Sequence, residues 1–311
     1  MFAIQGSGFG LYGYLAAIVG GGWGPVALPE AYRARLEERP ELARFRGAVR
    51  WFADEREALA QSSAVVVARR PADQGPAIAA IAARRGPQLL VLEKPLACEP
   101  AAAARCLALL IDARLRFRIG YNFRFTSWSP ALAEALRRAG SQSTLRLQWH
   151  FLAHHHRNAL DTWKRRHSEG GGALRYYGIH LIALLAETGY TRVEYSLSAG
   201  GSRDECDRWE CALGAPGLPR CVIELDTLRE APCFAASIEG AAPRELFRLT
   251  DPYSAKATEN GLDPRVLPLQ RLIAEAMQDT TGHFPEWYRD TIRLWQAVES
   301  ADRRLQAATS A

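Results

Sequence analysis

The sequence predicts two joined architectures: a parallel sheet covered by helices, then an α+β unit built on an open, mostly antiparallel sheet. Three observations carry that expectation. In the first part of the chain, short apolar runs alternate with helical stretches. Two of those runs, Ala64-Val65-Val66-Val67-Ala68 and Leu89-Leu90-Val91-Leu92, are apolar at every position, as strands covered on both faces must be. Beyond residue 190, strand-like segments follow one another with only Gly, Pro and Asp turns between them, the pattern of antiparallel pairing. Finally, 311 residues are too many for one ordinary core. The expected division is residues 1–120, a Rossmann-type dinucleotide-binding domain, and residues 121–311, a substrate-binding and oligomerisation domain. A C-terminal helix is expected to pack back on the first domain.

Element by element, residues 2–5 form a short apolar strand that runs into a glycine cluster. Residues 11–19 read as a helix, broken by Gly20-Gly21-Gly22. Strands follow at 26–28, 49–52, 64–68 and 89–92, where β-branched and apolar residues concentrate. The intervening helices are expected at 32–42, 55–61 and 76–85. An alanine-rich helix over 100–116 leads to a strand at 117–121, a helix at 130–139 and a strand at 143–151. The later strands are expected at 193–198, 209–213, 220–225, 234–239 and 244–249. Two helices, 267–278 and 285–305, close the chain.

Composition narrows the function classes. The chain is 48% apolar and 23% charged, with 39 cations against 34 anions scattered along its length. A net charge of +5 without a clustered basic stripe argues against nucleic acid. No apolar run reaches the roughly 18 residues that a membrane helix needs, and the N-terminus lacks a secretion signal, so a cytoplasmic protein is expected. The six cysteines offer no zinc spacing and read as reduced thiols, and no metal is expected. Only three cations are lysines: Lys94, Lys164 and Lys256. In a chain that otherwise uses arginine, a lysine is more interesting, because a desolvated ammonium can lose its proton and a guanidinium cannot.

The cluster Gly6-Ser7-Gly8-Phe9-Gly10-Leu11 after the first strand allows two registers of a dinucleotide fingerprint. Gly8, Gly10 and Gly13 fit G-x-G-x-x-G literally. The register starting at Gly6 puts the first glycine where the chain must turn off the strand, with Leu11 at the third position, and geometry favours it. Such glycines let the backbone approach a pyrophosphate at the positive end of the following helix. Glu30 stands about where an acid would bind ribose hydroxyls. Arg33 and Arg35 follow closely enough to hold a 2′-phosphate instead, giving NADP a slight edge over NAD. A solvated helix start remains the alternative for all three.

Glu93-Lys94-Pro95 follows the fifth strand, so Lys94 stands at the carboxyl end of a parallel sheet, where ligands bind in such folds. With this motif the chain resembles the glucose–fructose oxidoreductase/inositol dehydrogenase/rhizopine catabolism (Gfo/Idh/MocA) family along essentially its whole length. The matching segments are Gly6 to Gly10, Glu93-Lys94-Pro95, Gly120-Tyr121-Asn122-Phe123-Arg124-Phe125, and Gly170 to His180. The resemblance implies a nicotinamide cofactor, NADP or NAD, and a sugar or cyclitol substrate. It also implies an open sheet that mediates homodimer or homotetramer contacts. It assigns Lys94 to cofactor and substrate, Glu93 to the cofactor side, and His180 to proton transfer.

One departure stands out. Where the family usually carries an acid in the glycine-led segment, this chain has Tyr176, four residues before His180, and Ala183 replaces a further acid. A phenol can donate a proton to a developing alkoxide, so Lys94, Tyr176 and His180 are the expected catalytic residues, with reduction slightly preferred. Trp163, Lys164 and Tyr177, with Asn122 and Arg124 more weakly, are the expected substrate contacts. The histidines at 154–156 and the basic segment 163–167 suggest a rim for an anionic handle such as phosphate or nucleotide diphosphate. The competing expectations are a non-catalytic, regulatory nucleotide-binding relative, an imine reductase, or a redox-assisted lyase.

Overall fold

The computed structural model describes residues 1–84, 88–253, 261–278 and 284–306. Lys256, and Arg85 at the end of one expected helix, lie outside those residues. The chain separates into two compact units. One comprises Met1–Ala97, Arg105–Phe125 and Ala255–Phe284; the other comprises Cys98–Ala104, Thr126–Ser254 and Pro285–Ala311.

In the first unit, β1 (Phe2–Gln5) leads through a π-helical turn at Gly10–Leu15 into α1 (Ala16–Gly20) and β2 (Val26–Pro29). Then come α2 (Arg33–Glu37), β3 (Val49–Phe52), α3 (Glu55–Ala60), β4 (Ala64–Val67), α4 (Pro71–Ala82) and β5 (Leu89–Leu92). Helix α5 (Pro100–Asp112) and β6 (Arg116–Ile119) complete the series. All six strands are parallel, in the order β3-β2-β1-β4-β5-β6. The order reverses between β1 and β4, which places a topological switch point at their carboxyl ends. Strands β1, β2, β4 and β5 are buried at every position, which is why they read as unbroken apolar runs rather than alternations.

Three expected helices differ in detail. Residues 11–19 begin as π-helix rather than α-helix. The stretch 32–42 breaks into a 3₁₀ turn at Glu30–Tyr32, the short α2, and a 3₁₀ segment at Pro40–Ala48. Pro40 cannot continue a helix begun before it. Helix α4 starts five residues earlier than expected, with Pro71 in its first turn, where a missing N–H costs nothing.

The second unit follows with α6 (Ser129–Ala139), β7 (Thr144–Leu152), α7 (His154–Arg157) and α8 (Ile179–Glu187). Next are β8 (Arg192–Gly200), β9 (Arg208–Gly214), β10 (Arg220–Asp226), β11 (Leu228–Glu239) and β12 (Arg244–Leu249). Helix α9 (Val266–Met277) belongs to the first unit, where Val266, Leu269, Leu272, Ile273 and Ala276 join the core around β1 and α1. Helix α10 (Phe284–Ala301) is followed by β13 (Asp302–Gln306). The sheet order is β12-β11-β7-β10-β9-β8-β13, antiparallel except for the β7–β10 and β8–β13 pairs.

Strand β13 corrects the expectation of a helix running to residue 305. Asp302 accepts hydrogen bonds from Ser196 and Ser198 of β8, at 2.8 and 2.5 Å. Pairing there also covers backbone groups that β8 would otherwise leave open at the sheet edge. Helix α8 is buried at eight of nine positions, and Gly178 just before it has the Trp209 ring where a Cβ would stand, 2.7 Å away. None of the described helices is long and apolar enough to cross a membrane.

Candidate active site

In the first unit the glycine cluster settles into one register. Gly6 follows β1 directly with φ +119°, and a Cβ there would lie 2.2 Å from the carbonyl oxygen of Ala68 after β4. Only glycine makes that turn at the switch point. Gly8 is exposed, and a Cβ on it would meet nothing within 4 Å. Gly10 has Ile4 Cγ2 within 2.7 Å of its missing Cβ, so it supplies the close helix–strand contact, and Leu11 beside it is fully buried. The carbonyl of Gly8 accepts from the amides of Leu11 and Tyr12 at 3.0 and 3.4 Å, closing the first turn. A turning glycine, an open glycine and a helix start together form a cradle that fits a dinucleotide pyrophosphate. Phe9 packs edge-on against Tyr12 and Tyr14, with the Arg265 guanidinium 4.2 Å above its ring.

Glu30 and Arg33 are both exposed and form a two-point ion pair at 2.7 and 2.8 Å. The Arg33 guanidinium holds the Glu30 carboxyl below its ordinary value and also stacks 4.3 Å from the centre of the Trp51 ring. Acid and base at the end of β2 thus engage each other. Tyr32, which the sequence did not single out, lies against the glycine turn. Its hydroxyl accepts from the Gly6 amide at 2.8 Å and donates to Glu55 at 2.5 Å, and Glu55 pairs with Arg69. Burial, then the hydrogen bond to Glu55, raises its phenol well above the usual value. Nothing in a local pattern distinguishes this tyrosine from a helix-surface residue, because its partners come from three other segments.

Lys94 sits just past β5 and is only 6% exposed. Glu93 beside it is also buried and accepts from the Tyr14 hydroxyl at 2.8 Å. Gln74 of α4, fully buried, donates to the carbonyls of Glu93 and Pro95, the latter at 2.8 Å. Asn122 is buried, and its side-chain oxygen has no hydrogen-bond partner among the described residues. Arg124 points toward Glu275 of α9 at 3.7 Å, with the Phe284 ring 5.4 Å away.

In the second unit the glycine run explains itself. Gly170 and Gly172 have φ of +84° and +82°. A Cβ on Gly171 would lie 2.3 Å from the Trp163 carbonyl oxygen and 2.7 Å from the Lys164 carbonyl carbon. The Gly172 amide donates to the Lys164 carbonyl at 2.8 Å. The run therefore lets the Trp163-Lys164 backbone lie directly against the start of the π-helical segment Ala173–Gly178. Trp163 meets Tyr176 edge-on at 5.3 Å, and the Lys164 Nζ stands 5.5 Å from the Tyr176 ring centre. The structure brings these three expected residues together within one unit.

Tyr177 turns into an aromatic group with Trp149, Phe151 and Tyr176, and His155 stacks over it at 6.4 Å. Burial, reinforced by His156 and Lys164, pushes His155 down to about 3, so its ring is neutral. The neighbouring His156 pairs with Asp207 at 3.0 Å. The three histidines lie on one short helix. No group of three or more metal-ligating side chains is assembled among the described residues. His180 is buried on α8, and its Nε2 lies 3.4 Å from the Tyr253 hydroxyl, a partner 73 residues away that no sequence spacing could reveal. Ala183 is fully buried, and its carbonyl accepts from the Trp287 indole at 2.7 Å.

No protein-family model matches the sequence, and comparison with curated proteins finds no match. Solved structures do match along nearly the whole chain. The WlbA dehydrogenase from Bordetella pertussis, in complex with NADH and UDP-GlcNAcA, aligns with a TM-score of 0.72 at 16% identity. That match covers 96% of this chain and 95% of the other. KijD10, a 3-ketoreductase from Actinomadura kijaniata in complex with NADP and TDP-benzene, aligns at 0.70 with 14% identity, covering 99% of each chain. GenD2 from gentamicin A biosynthesis, in complex with NAD, gives 0.69 at 18% identity, covering 96% and 93%. The chain has the fold of these proteins. At such identities the likeness establishes architecture, a parallel six-stranded sheet with a mixed seven-stranded one, and residue roles must be argued from this chain's own geometry.

Proposed function

We propose that this protein is an NAD(P)-dependent oxidoreductase that interconverts a carbonyl and a hydroxyl on a nucleotide-linked sugar, with reduction the favoured direction. The observation that carries the reading is Lys94: a buried lysine just past the carboxyl end of β5, in the same unit as an open glycine cradle beside the switch point. Solved proteins of this fold bind NADH, NADP or NAD, and two of them were crystallised with UDP-GlcNAcA or TDP-benzene. The first unit would bind the dinucleotide and the second the substrate.

Gly6, Gly8 and Gly10, with the backbone of Phe9 and Leu11, would hold the pyrophosphate. Glu30 would take the ribose hydroxyls, or Arg33 a 2′-phosphate. When bound, the nicotinamide supplies or accepts the hydride. Lys94 steadies the substrate oxygen as negative charge develops on it. Tyr176 and His180 would serve proton transfer, the phenol donating in the reductive direction. Lys164, Trp163 and Tyr177, with Asn122 and Arg124 more weakly, would contact the sugar or its anionic handle. We further propose a homodimer or homotetramer joined through the open face of the second sheet, working in the cytoplasm. All six cysteines are free, as suits a reducing compartment.

The test is a calorimetric titration with NADH and NADPH, followed by nicotinamide absorbance with a panel of nucleotide-linked ketosugars. Binding of one dinucleotide and its oxidation by at least one substrate are expected. A flat titration with both refutes the oxidoreductase reading. Binding without turnover on any carbonyl favours a regulatory nucleotide-binding protein instead.

A further inference from the structure

We infer that Tyr14, Glu93 and Gln74 form a buried cradle that fixes the position and the charge of Lys94, and that Tyr14 and Gln74 are therefore positioning residues. The inference rests on the reading above, in which Lys94 works at the substrate oxygen. Gln74 has no exposed surface, and its single amide nitrogen bonds the carbonyls on both sides of Lys94, those of Glu93 and Pro95. One side chain thus clamps the backbone that carries the lysine. Tyr14, on the π-helical turn after β1, is also fully buried and donates to Glu93 Oε2 at 2.8 Å. Gly120 closes the third side. A Cβ there would stand 2.8 Å from the Tyr14 hydroxyl and 3.2 Å from Glu93 Oε2, so no other side chain fits against the pair.

A carboxylate and an amine buried next to each other are expensive, and apolar replacements of similar volume are often as stable or more so. Their presence at the end of a strand, with a dedicated hydroxyl and a dedicated amide, points to a task beyond stability. The charges of Glu93 and Lys94 attract, so each favours the other's ionised form against the cost of burial. Burial pushes the Glu93 carboxyl up, while the charge of Lys94, the Tyr14 hydroxyl and the charge of Arg265, just ahead of α9, oppose that rise. Those three groups face the carboxylate from the loop, the π-helical turn and the segment leading into α9.

The experiment reads Lys94 directly. The full chain is acylated with a trace of acetic anhydride across a pH series, and modification at each lysine is measured by peptide mass spectrometry. With only three lysines, Lys164 serves as the internal reference. Glu93→Gln should lower the apparent pKa of Lys94 by about one unit or more, as loss of a close opposite charge does. Tyr14→Phe, which removes one hydroxyl, should move it the same way by less, and it remains informative if Glu93→Gln fails to fold. Gln74→Leu should leave the titration unchanged while kcat falls about tenfold at constant KM, the signature of a group mis-set only for the reaction. A Lys94 titration unmoved in Glu93→Gln, or in Tyr14→Phe where the former does not fold, overturns the cradle. If the wild-type chain binds neither dinucleotide yet the titration shifts as described, the enzyme reading fails and the cradle stands. If it binds one and the titration does not move, the cradle alone fails.

Discussion

Gly8→Ala separates folding from cofactor binding. A methyl group at Gly8 meets no protein atom within 4 Å, and the residue's φ is not in the left-handed region. The folded state therefore loses no contact, and the unfolded chain loses freedom, so stability should hold or rise by about 0.4–1 kcal/mol. The same methyl group points into the space where a pyrophosphate would approach the backbone. Displacing it by even a fraction of a van der Waals radius should weaken NAD(P)H binding at least tenfold, about 1.4 kcal/mol. Gly10→Ala is the converse control. Its methyl would press on Ile4 Cγ2 at 2.7 Å in a filled core, costing about 1–3 kcal/mol of stability. Denaturant melts and cofactor fluorescence titrations of the two variants give the four numbers needed. A Gly8→Ala protein that binds both dinucleotides with wild-type affinity refutes the assignment of this loop as the phosphate cradle.

Other consequences can be checked with further substitutions. Lys94→Ala should abolish turnover while dinucleotide affinity stays within about tenfold, because the amine acts mainly in the transition state; an unchanged kcat removes it from the mechanism. Tyr176→Phe should cut kcat by about 100-fold or more if the phenol is the acid, and undiminished activity would mean that the ring only packs. Acid should destabilise the fold through His155 and His167, whose rings burial pushes down to about 3. Each binds its proton more readily in the unfolded chain, from near pH 6.5. Stability is therefore present above that pH and is lost as pH falls toward 3, by up to about 1.4 kcal/mol per pH unit for each ring. Thermal melts of wild type and His155→Gln between pH 7 and 5 should show a shallower slope in the variant; parallel slopes would show that the His155 ring is not held neutral.

What the sequence made legible follows from how local each signal is. Strands β1, β4 and β5 were readable because burial on both faces leaves no polar position to confuse the pattern. The turning role of Gly6 was readable because a single backbone demand at a strand end selects glycine. Lys94 stands out in the sequence by its position in the topology and by its rarity, and the fold buries it. Strand β13 was not readable, because the pairing of Asp302 with Ser196 and Ser198 is made across more than 100 residues while the local sequence continues a helical pattern. Tyr32, Tyr14, Gln74 and Tyr253 were missed for the same reason: each earns its place through a partner that only the folded chain supplies.

Two π-helical segments hold tyrosines of the two units. Gly10–Leu15 holds Tyr14, and Ala173–Gly178 holds Tyr176 and Tyr177. A π-helical turn spaces its hydrogen bonds five residues apart rather than four, and such turns are rare and frequently lie at functional sites. In an α-helix, Tyr176 and His180 four residues apart would be offset by about 40° in one sense around the axis; widening the turn between them moves that offset toward the other sense. The wider turn also holds Tyr176 where Trp163 and Lys164 meet it, because the glycines that start the segment bring that backbone alongside. Likewise, Tyr14 reaches Glu93 from a turn whose start is fixed by Gly10 against Ile4. In both units a glycine-led entry and a widened helical turn deliver a tyrosine to a charged partner. The geometry that places the two phenols is therefore written in the glycines that precede them rather than in the helical periodicity around them.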